Sequence, residues 1–281
     1  TNTKSNLPAG TTTINPAIGY RRRRGRCYTR LVPKVSVTVI TQNEAANIEA
    51  ALLSVSWADE IVLVDSGSTD NTLALARSFG ATVVVRDWEG FSTQKNYAAS
   101  LARNDWILSI DADERVTTQL AREIKTILGL EPKHHGYRIP RVAHHLGRWI
   151  HSTDWYPDPQ LRLYNRQFGQ WTERRVHESV AVDGPAGLLE KTIEHFPYRN
   201  ISHHLETIDR YTTLAAEHLF ESGQRTNIVK LILHPTFAFV RNYILKGGIR
   251  DGIPGLIVSA MNSYYVLLKI AKLWELQTRR S

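Results

Sequence analysis

ILSIDADERV, residues 107–116, runs a short apolar strand straight into acids: Ile107, Leu108, Ser109 and Ile110 are followed by Asp111, Asp113 and Glu114. Like charges this close repel, so the arrangement calls for solvent, a cation or both. In an extended chain alternate side chains share a side, which puts Asp111 and Asp113 on the same one. The residues upstream have a matching rhythm. KVSVTVI (34–40), EIVLVD (60–65) and ATVVVR (81–86) read as strands. Between them, AANIEAALLSVSW (45–57) and FSTQKNYAASLA (91–102) read as helices, as does SGSTDNTLALARSFG (66–80), with Ser68 or Thr69 as its N-cap and Gly80 as its stop. Strands alternating with helices indicate βαβ units and an α/β fold with a mostly parallel sheet over residues 35–130.

Open parallel sheets bind ligands beyond the carboxyl ends of their strands. Three such ends carry acids here: Glu44 after the first strand, Asp65 ending the second, and Asp111 with Asp113 ending the fourth. Each alone is an ordinary turn former or helix cap, and Asp65 alone would serve to shape the DSGSTD turn. Together they make a site for a hard divalent cation, Mg²⁺ or Mn²⁺, that also takes phosphate oxygens.

Beyond residue 130 the pattern loosens. Gly136–His144, Gln160–Asn165 and Leu188–Glu194 read as strands, and Ser202–Ser222 as a helix. Trp149, Trp155 and Trp171 form either a lid and platform over the site or part of the core. Residues 225–281 hold two apolar, aromatic and basic segments around the hinge GGIRDGIPG (247–255). The uncharged run from Ile253 to Leu268 falls short of the ~20 apolar residues of a spanning helix. Basic amphipathic helices of this kind suit an anionic bilayer surface, or else pack on the core or a second subunit.

The formal net charge of +8 is unevenly spread. Residues 1–34 carry +8 and residues 225–281 carry +7, which leaves −7 for 35–224. An acidic body argues against nucleic acid as the main partner, although RRRRGR (21–26) would permit an electrostatic contact through the arm. Three segments follow: a basic arm (1–34), expected to be solvated and disordered, a catalytic domain (35–224), and a helical C-terminal region (225–281). Cys27 is the sole cysteine, which excludes an internal disulfide and fits a reducing compartment. The opening TNTKSNLPAG is polar, so no secretory signal is expected. There is no GxGxxG after the first strand, no GxxxxGK[ST], no GxSxG and no cysteine–histidine zinc spacing.

VSVTVITQNEAANI, EIVLVDSGSTDNT, QKNYA and WILSIDADE, in that order and spacing, resemble the family 2 glycosyltransferases of GT-A fold. WYPDPQLRLYNR, RRVHESV and FVRNYILKGGIRDGIPGL are similar to the branch containing lipopolysaccharide core β-1,4-glucosyltransferases. The resemblance implies an inverting hexosyltransferase using UDP-glucose and Mn²⁺ or Mg²⁺. Its acceptor would be a lipopolysaccharide-core or other lipid-linked glycan, met at the cytoplasmic face of the membrane. Thr41, Glu44 and Asp65 would hold the nucleoside, and Lys95 would lie near the phosphates. Asp111 and Asp113 occupy the DXD positions, with Asp113 the metal ligand and Asp111 contacting ribose or metal-bound water. His195 would be a second metal ligand. The catalytic base is expected to be Glu178, with Asp158 second; Glu178 alternatively pairs with Arg174 or Arg175. Arg162 would face the leaving pyrophosphate or pair with Asp158. A nucleotidyltransferase also puts acids at sheet edges, but it needs a glycine- and arginine-rich loop where this chain has TQNEAANI.

Overall fold

The computed structural model describes residues 20–23, 26–29, 32–172 and 178–279. Most of the basic arm therefore lies outside the described residues. Within it, β1 (Tyr20–Arg23) and β2 (Arg26–Thr29) pair antiparallel, so the expected disordered tail holds a hairpin at the arginine run.

The main sheet starts from β3 (Val35–Thr41). After α1 (Ile48–Ser54) comes β4 (Glu60–Asp65), then α2 (Thr72–Ser78), β5 (Thr82–Val85), α3 (Phe91–Leu101) and β6 (Trp106–Asp111). These strands pair parallel in the order β5-β4-β3-β6, as the alternation predicts. Val37, Val39, Leu63, Leu108 and Ile110 are fully buried, and Ser36 and Thr38 on the other face of β3 are buried too. Both faces are covered, as a parallel sheet requires. The cap differs from expectation: α2 begins after Asn71, because Ser68 and Thr69 are drawn into bonds with the preceding loop.

The acids are followed by β7 (Glu114–Val116) and α4 (Thr118–Gly129), whose Leu120, Ile124 and Leu128 bury one face. The chain then makes β8 (Gly136–His145), β9 (Arg148–Ile150), β10 (Asp158–Asn165), β11 (Gly169–Thr172), β12 (Ser179–Val182), β13 (Gly187–Leu188) and β14 (Ile193–His195). Here the sheet turns mixed: β10 is antiparallel to both β6 and β8, while β14 runs parallel to β8 and antiparallel to β7. The stretch expected as one strand at 188–194 is divided between β13 and β14. This extension brings residues 141–162 and 193–195 against the strand-end acids.

Three helices complete the molecule: α5 (Ile201–Glu221), α6 (Ile228–Val240) and α7 (Gly252–Arg279), with a π turn at Arg241–Leu245 and a 3₁₀ turn at Gly248–Asp251 between the last two. Asn200 and Asn227 cap α5 and α6 by accepting the N–H of His203 and Lys230. α7 packs against both other helices. Segments Ile228–Leu245 and Gly248–Arg279 contain 18-residue windows of mean hydropathy 1.2 and 1.3, long and apolar enough to cross a membrane by length and composition only. These windows include single charges such as Lys269, at which the uncharged run from Ile253 ends.

Several contacts bolt the helices to the sheet domain, and the densest is at Asp154. Buried Asn242 accepts the Asp154 N–H (2.8 Å) and donates to Asp154 Oδ2 (3.0 Å), and Arg241 and Lys246 form ion pairs with the same carboxylate. Together these contacts hold Asp154 below its ordinary pKa against the opposing effect of burial.

Candidate active site

The loops after β3 and β4 are stitched together by side chains rather than by sheet. Asn43, at φ 55°, donates its N–H to Ser68 Oγ and accepts the Thr69 N–H; Glu44 and Ala45 N–H donate to Thr72 Oγ1 and Asp70 Oδ2. Asp65 is wholly buried. Its Oδ1 accepts the N–H of Gly67 (2.9 Å) and Ser68 (2.7 Å), and its Oδ2 accepts the Ser68 hydroxyl. Asp65 therefore shapes this loop from within instead of facing an open cleft. Thr41, beside it in register, is buried and its hydroxyl has no partner among the described residues.

At the end of β6 the question posed by the acids is answered. Asp111 accepts Lys95 Nζ on Oδ1 (2.8 Å) and Arg162 Nη2 on Oδ2 (2.6 Å). Burial pushes its carboxyl up, but the two cations override this and hold it well below the usual carboxylate range. Glu114, wholly buried, accepts Arg162 (2.8 Å) and Arg141 (3.0 Å) on Oε1 and the Asp111 N–H on Oε2. Arg141 continues to Asp158 through Nε (3.0 Å) and Nη2 (2.6 Å). Lys95, Asp111, Arg162, Glu114, Arg141 and Asp158 thus form one chain of alternating charge, balanced at three cations and three anions. Its cations also use aromatic faces: Lys95 Nζ lies 4.3 Å from the Trp171 ring centroid. Trp171 is core at this point rather than lid.

Arg162 is 4% exposed and its Nη2 bonds Asp111 and Glu114 in place of the Asp158 alternative, while its Nε and Nη1 have no partner among the described residues. It is a positioning residue that keeps the two acids charged and fixed. Glu114 and Arg141 were missed by sequence reading. Glu114 stands in the DADE run itself, but nothing local shows that a guanidinium 27 residues later will reach it.

Asp113 is left out of this chain. Its Oδ2 lies 3.2 Å from His195 Nε2, the side chains being 27% and 16% exposed, and the Phe196 N–H donates to the Asp113 carbonyl to fix the pair across strands. Glu44 stands close enough that Asp113 adds to burial in raising its carboxyl above the ordinary value. Two ligands on neighbouring positions of an octahedral ion with ~2.1 Å bonds lie about 3 Å apart, so this carboxylate and imidazole fit a shared divalent ion. Among the described residues, no three His, Cys, Asp or Glu side chains make a ready-built metal cage.

A cleft of about 270 Å³ opens beside His195 and is lined by Arg141, Asp154, Trp155, Asp158 and Tyr198. Asp158 thus looks into the cleft from one side and His195 from another. Glu178 is half-buried and directly precedes β12, whose Ser179 pairs with Thr172. Arg174, Arg175 and His177, expected around it, lie outside the described residues. Trp155 lines the cleft, its Nε1 donating to Asn262 Oδ1, while Trp149 packs edge-on against Phe196.

Residues 36–193 match the family model described as Glycosyl transferase family 2. The chain belongs to that family. This family 2 chain is 30% identical over 264 residues to an uncharacterized glycosyltransferase of Rickettsia bellii, covering 88% of each. It is also 30% identical over 254 residues to the lipopolysaccharide core biosynthesis glycosyltransferase LpsC of Rhizobium meliloti, covering 87% of this chain and 94% of the relative. Among solved structures, the Pyrobaculum calidifontis mannosyltransferase PcManGT, in complex with GDP-Man and Mn²⁺, superposes with TM-score 0.53 at 16% identity, covering 87% of this chain and 88% of that one. The family 2 enzyme is a glycosyltransferase with the GT-A architecture: a curled mixed sheet flanked by helices, with a long C-terminal helix.

The wall of the cleft carries a pH dependence. Tyr198 stacks on His204 at 3.8 Å, with His145 5.2 Å from the same ring, and both histidines are 2% exposed. Burial, reinforced by His145 and His203, lowers His204 from 6.5 to about 4. Between those values the unfolded chain binds a proton that the folded one refuses, so stability is full above about pH 6.5 and is lost as pH falls towards 4. Urea unfolding should show a loss of about 2 kcal/mol from this group between pH 7.5 and 5. His204→Phe, which keeps the stack, should flatten that slope.

Proposed function

We propose that this enzyme is a metal-dependent inverting hexosyltransferase. It moves glucose from UDP-glucose onto a lipopolysaccharide-core or other lipid-linked glycan, working at the inner face of the cytoplasmic membrane. The observation that carries this is the Asp113–His195 pair at the strand ends, set apart from the neutralised charge chain behind it. The name of LpsC supports the acceptor class, and the ligands of PcManGT support a nucleotide-sugar with Mn²⁺. Residues 35–224 form the catalytic domain in this reading, with the basic arm and the helical region as appendages.

Asp113 and His195 would hold the divalent ion, which when bound supplies charge neutralisation to the departing nucleoside diphosphate. Thr41, Glu44 and the loop shaped by Asp65 receive the nucleoside. Lys95 and Arg162 keep Asp111 anionic and oriented beside it. The acceptor enters the cleft beneath Trp155 and Tyr198, where a carboxylate must take the proton of the attacking hydroxyl. Glu178 in RRVHESV is the first choice of base, and Asp158, which lines the cleft and bonds Arg141 and Gln160, is the second.

A melting panel of UDP-glucose, GDP-mannose and dTDP-sugars, each with Mn²⁺ or EDTA, tests the donor assignment. One UDP-sugar at ~100 times its Kd should stabilise by roughly 2.7 kcal/mol, and only with metal. Stabilisation by no nucleotide under either condition would overturn the reading. Release of pyrophosphate, instead of a nucleoside diphosphate, would reassign the enzyme to nucleotidyl transfer.

A further inference from the structure

Among the described residues, nothing covers an apolar surface on α6 and the turn after it. Val229, Leu233, Phe237, Val240 and Ile244 recur at helical spacing on one exposed face. The stripe runs into the tip of the α6–α7 hairpin, where Leu245, Ile249 and Ile253 are 70%, 60% and 74% exposed. The tip is rigid: a Cβ on Gly255 would sit 1.9 Å from the Gly248 carbonyl oxygen, and Gly247 and Gly252 take φ of 72° and 64°. A soluble monomer rarely shows so continuous a patch without a use.

Charge decides what covers it. The stripe and tip are bordered by exposed Lys230, Lys246 and Arg250. Of the two acids in 225–281, Asp251 is buried against His151 N–H and the Ser152 hydroxyl, and Glu275 pairs with Arg279. A second copy would bring +7 against +7, whereas an anionic bilayer complements the charged rim and dissolves the apolar face.

The contacts also fix how the helices lie. The start of α6 and the end of α7 meet through Thr226 and Gln277, and Lys272 donates to Asp209 of α5. At the opposite end, Arg241, Asn242 and Lys246 hold Asp154, and Thr153 N–H donates to the Lys246 carbonyl. The polar domain is thus fastened to the turn end of the hairpin through Asp154 and Ser152 and, through α5, to the C-terminal part of α7. A crossing helix would have to carry one of those polar attachments through the hydrocarbon. We infer that the α6–α7 hairpin is an interfacial anchor, lying in one leaflet of an anionic membrane with its tip immersed. Asp154 belongs both to the anchor and to the wall of the 270 Å³ cleft. Immersion of the tip therefore sets the mouth of the cleft at headgroup level. A lipid-linked acceptor reaches it from the side, without leaving the bilayer. The anchor rests on the exposed apolar face, its basic rim and its attachments, whereas lateral entry rests on the proposed acceptor class.

Sedimentation with vesicles tests the anchor without donor, metal or acceptor, so it fails independently of the donor assignment. The protein should bind vesicles of phosphatidylethanolamine and phosphatidylglycerol and bind phosphatidylcholine at least about tenfold less tightly. Leu245→Ser, Ile249→Ser and Ile253→Ser together should cut anionic-vesicle binding by about tenfold with the metal-dependent donor shift unchanged. For orientation, a polarity-sensitive dye on Ile253→Cys should shift to the blue on vesicles, while the same dye on Val85→Cys at the far sheet edge should not, Cys27→Ser being present in both. Equal binding by the serine variant, or a blue shift at position 85, would overturn the anchor. A wild-type dimer converted to monomer by the serine substitutions would give the face to a second copy instead.

Discussion

Asp113→Asn is expected to abolish metal-dependent donor binding and leave the fold untouched. The side chain is part-exposed, and His195 is its one ion-pair partner within 4 Å among the described residues, so neutralising it breaks no buried ion pair. Unfolding free energy without ligand should stay within about 0.5 kcal/mol of wild type. Losing one anionic oxygen from the proposed ion site should instead remove about 4 kcal/mol of transition-state stabilisation, a fall in kcat/KM on the order of 10³-fold. The UDP-sugar melting shift should vanish with it. His195→Ala should act in the same direction with a smaller effect, since the carboxylate remains. A variant that keeps both turnover and its metal-dependent shift would remove Asp113 from the ion site.

Glu114→Ala should do the reverse and damage the fold. Glu114 is wholly buried between Arg162 and Arg141 and also accepts the Asp111 N–H. Truncation leaves a buried guanidinium without its share of countercharge and an amide without its acceptor. Breaking a buried ion pair from one side costs about 3–5 kcal/mol. For a chain of this size that lowers Tm by roughly 10 °C. Glu114→Gln, which keeps the acceptor oxygen, should lose less. Denaturant midpoints of both variants beside Asp113→Asn would separate the residue that builds the site from the residue proposed to use it.

The parallel half of the sheet was legible because buried strands write themselves in sequence. EIVLVD and WILSID are continuous apolar runs ending in acid, and the helices between them have clear spacing. The antiparallel half was not, because its register depends on partners far along the chain: Leu163 faces Leu108, and His195 faces both Glu114 and Ala143. Among site residues, Asp111 and Asp113 were legible from the strand end and His195 from the resemblance, and the structure brings Asp113 and His195 together. The geometry of Arg162 and Asp65 was misjudged for a shared reason. Burial turned both groups inward, towards the charge chain in one case and their own loop in the other. Exposure of this kind cannot be read from residue type.

The charge chain also governs how the molecule comes into being. During synthesis β3, β4 and β6 emerge first, and their parallel pairing is complete by residue 111. Asp111 and Glu114 then wait for Arg141 and Arg162, which the ribosome adds 27 to 51 residues later. Until those arrive, closing the core over Glu114 would entomb an uncompensated anion, with only Lys95 on hand for Asp111. The nascent sheet therefore stays open at its carboxyl edge and shuts when the second half docks. The strand ends proposed to hold the chemistry are thus expected to close last.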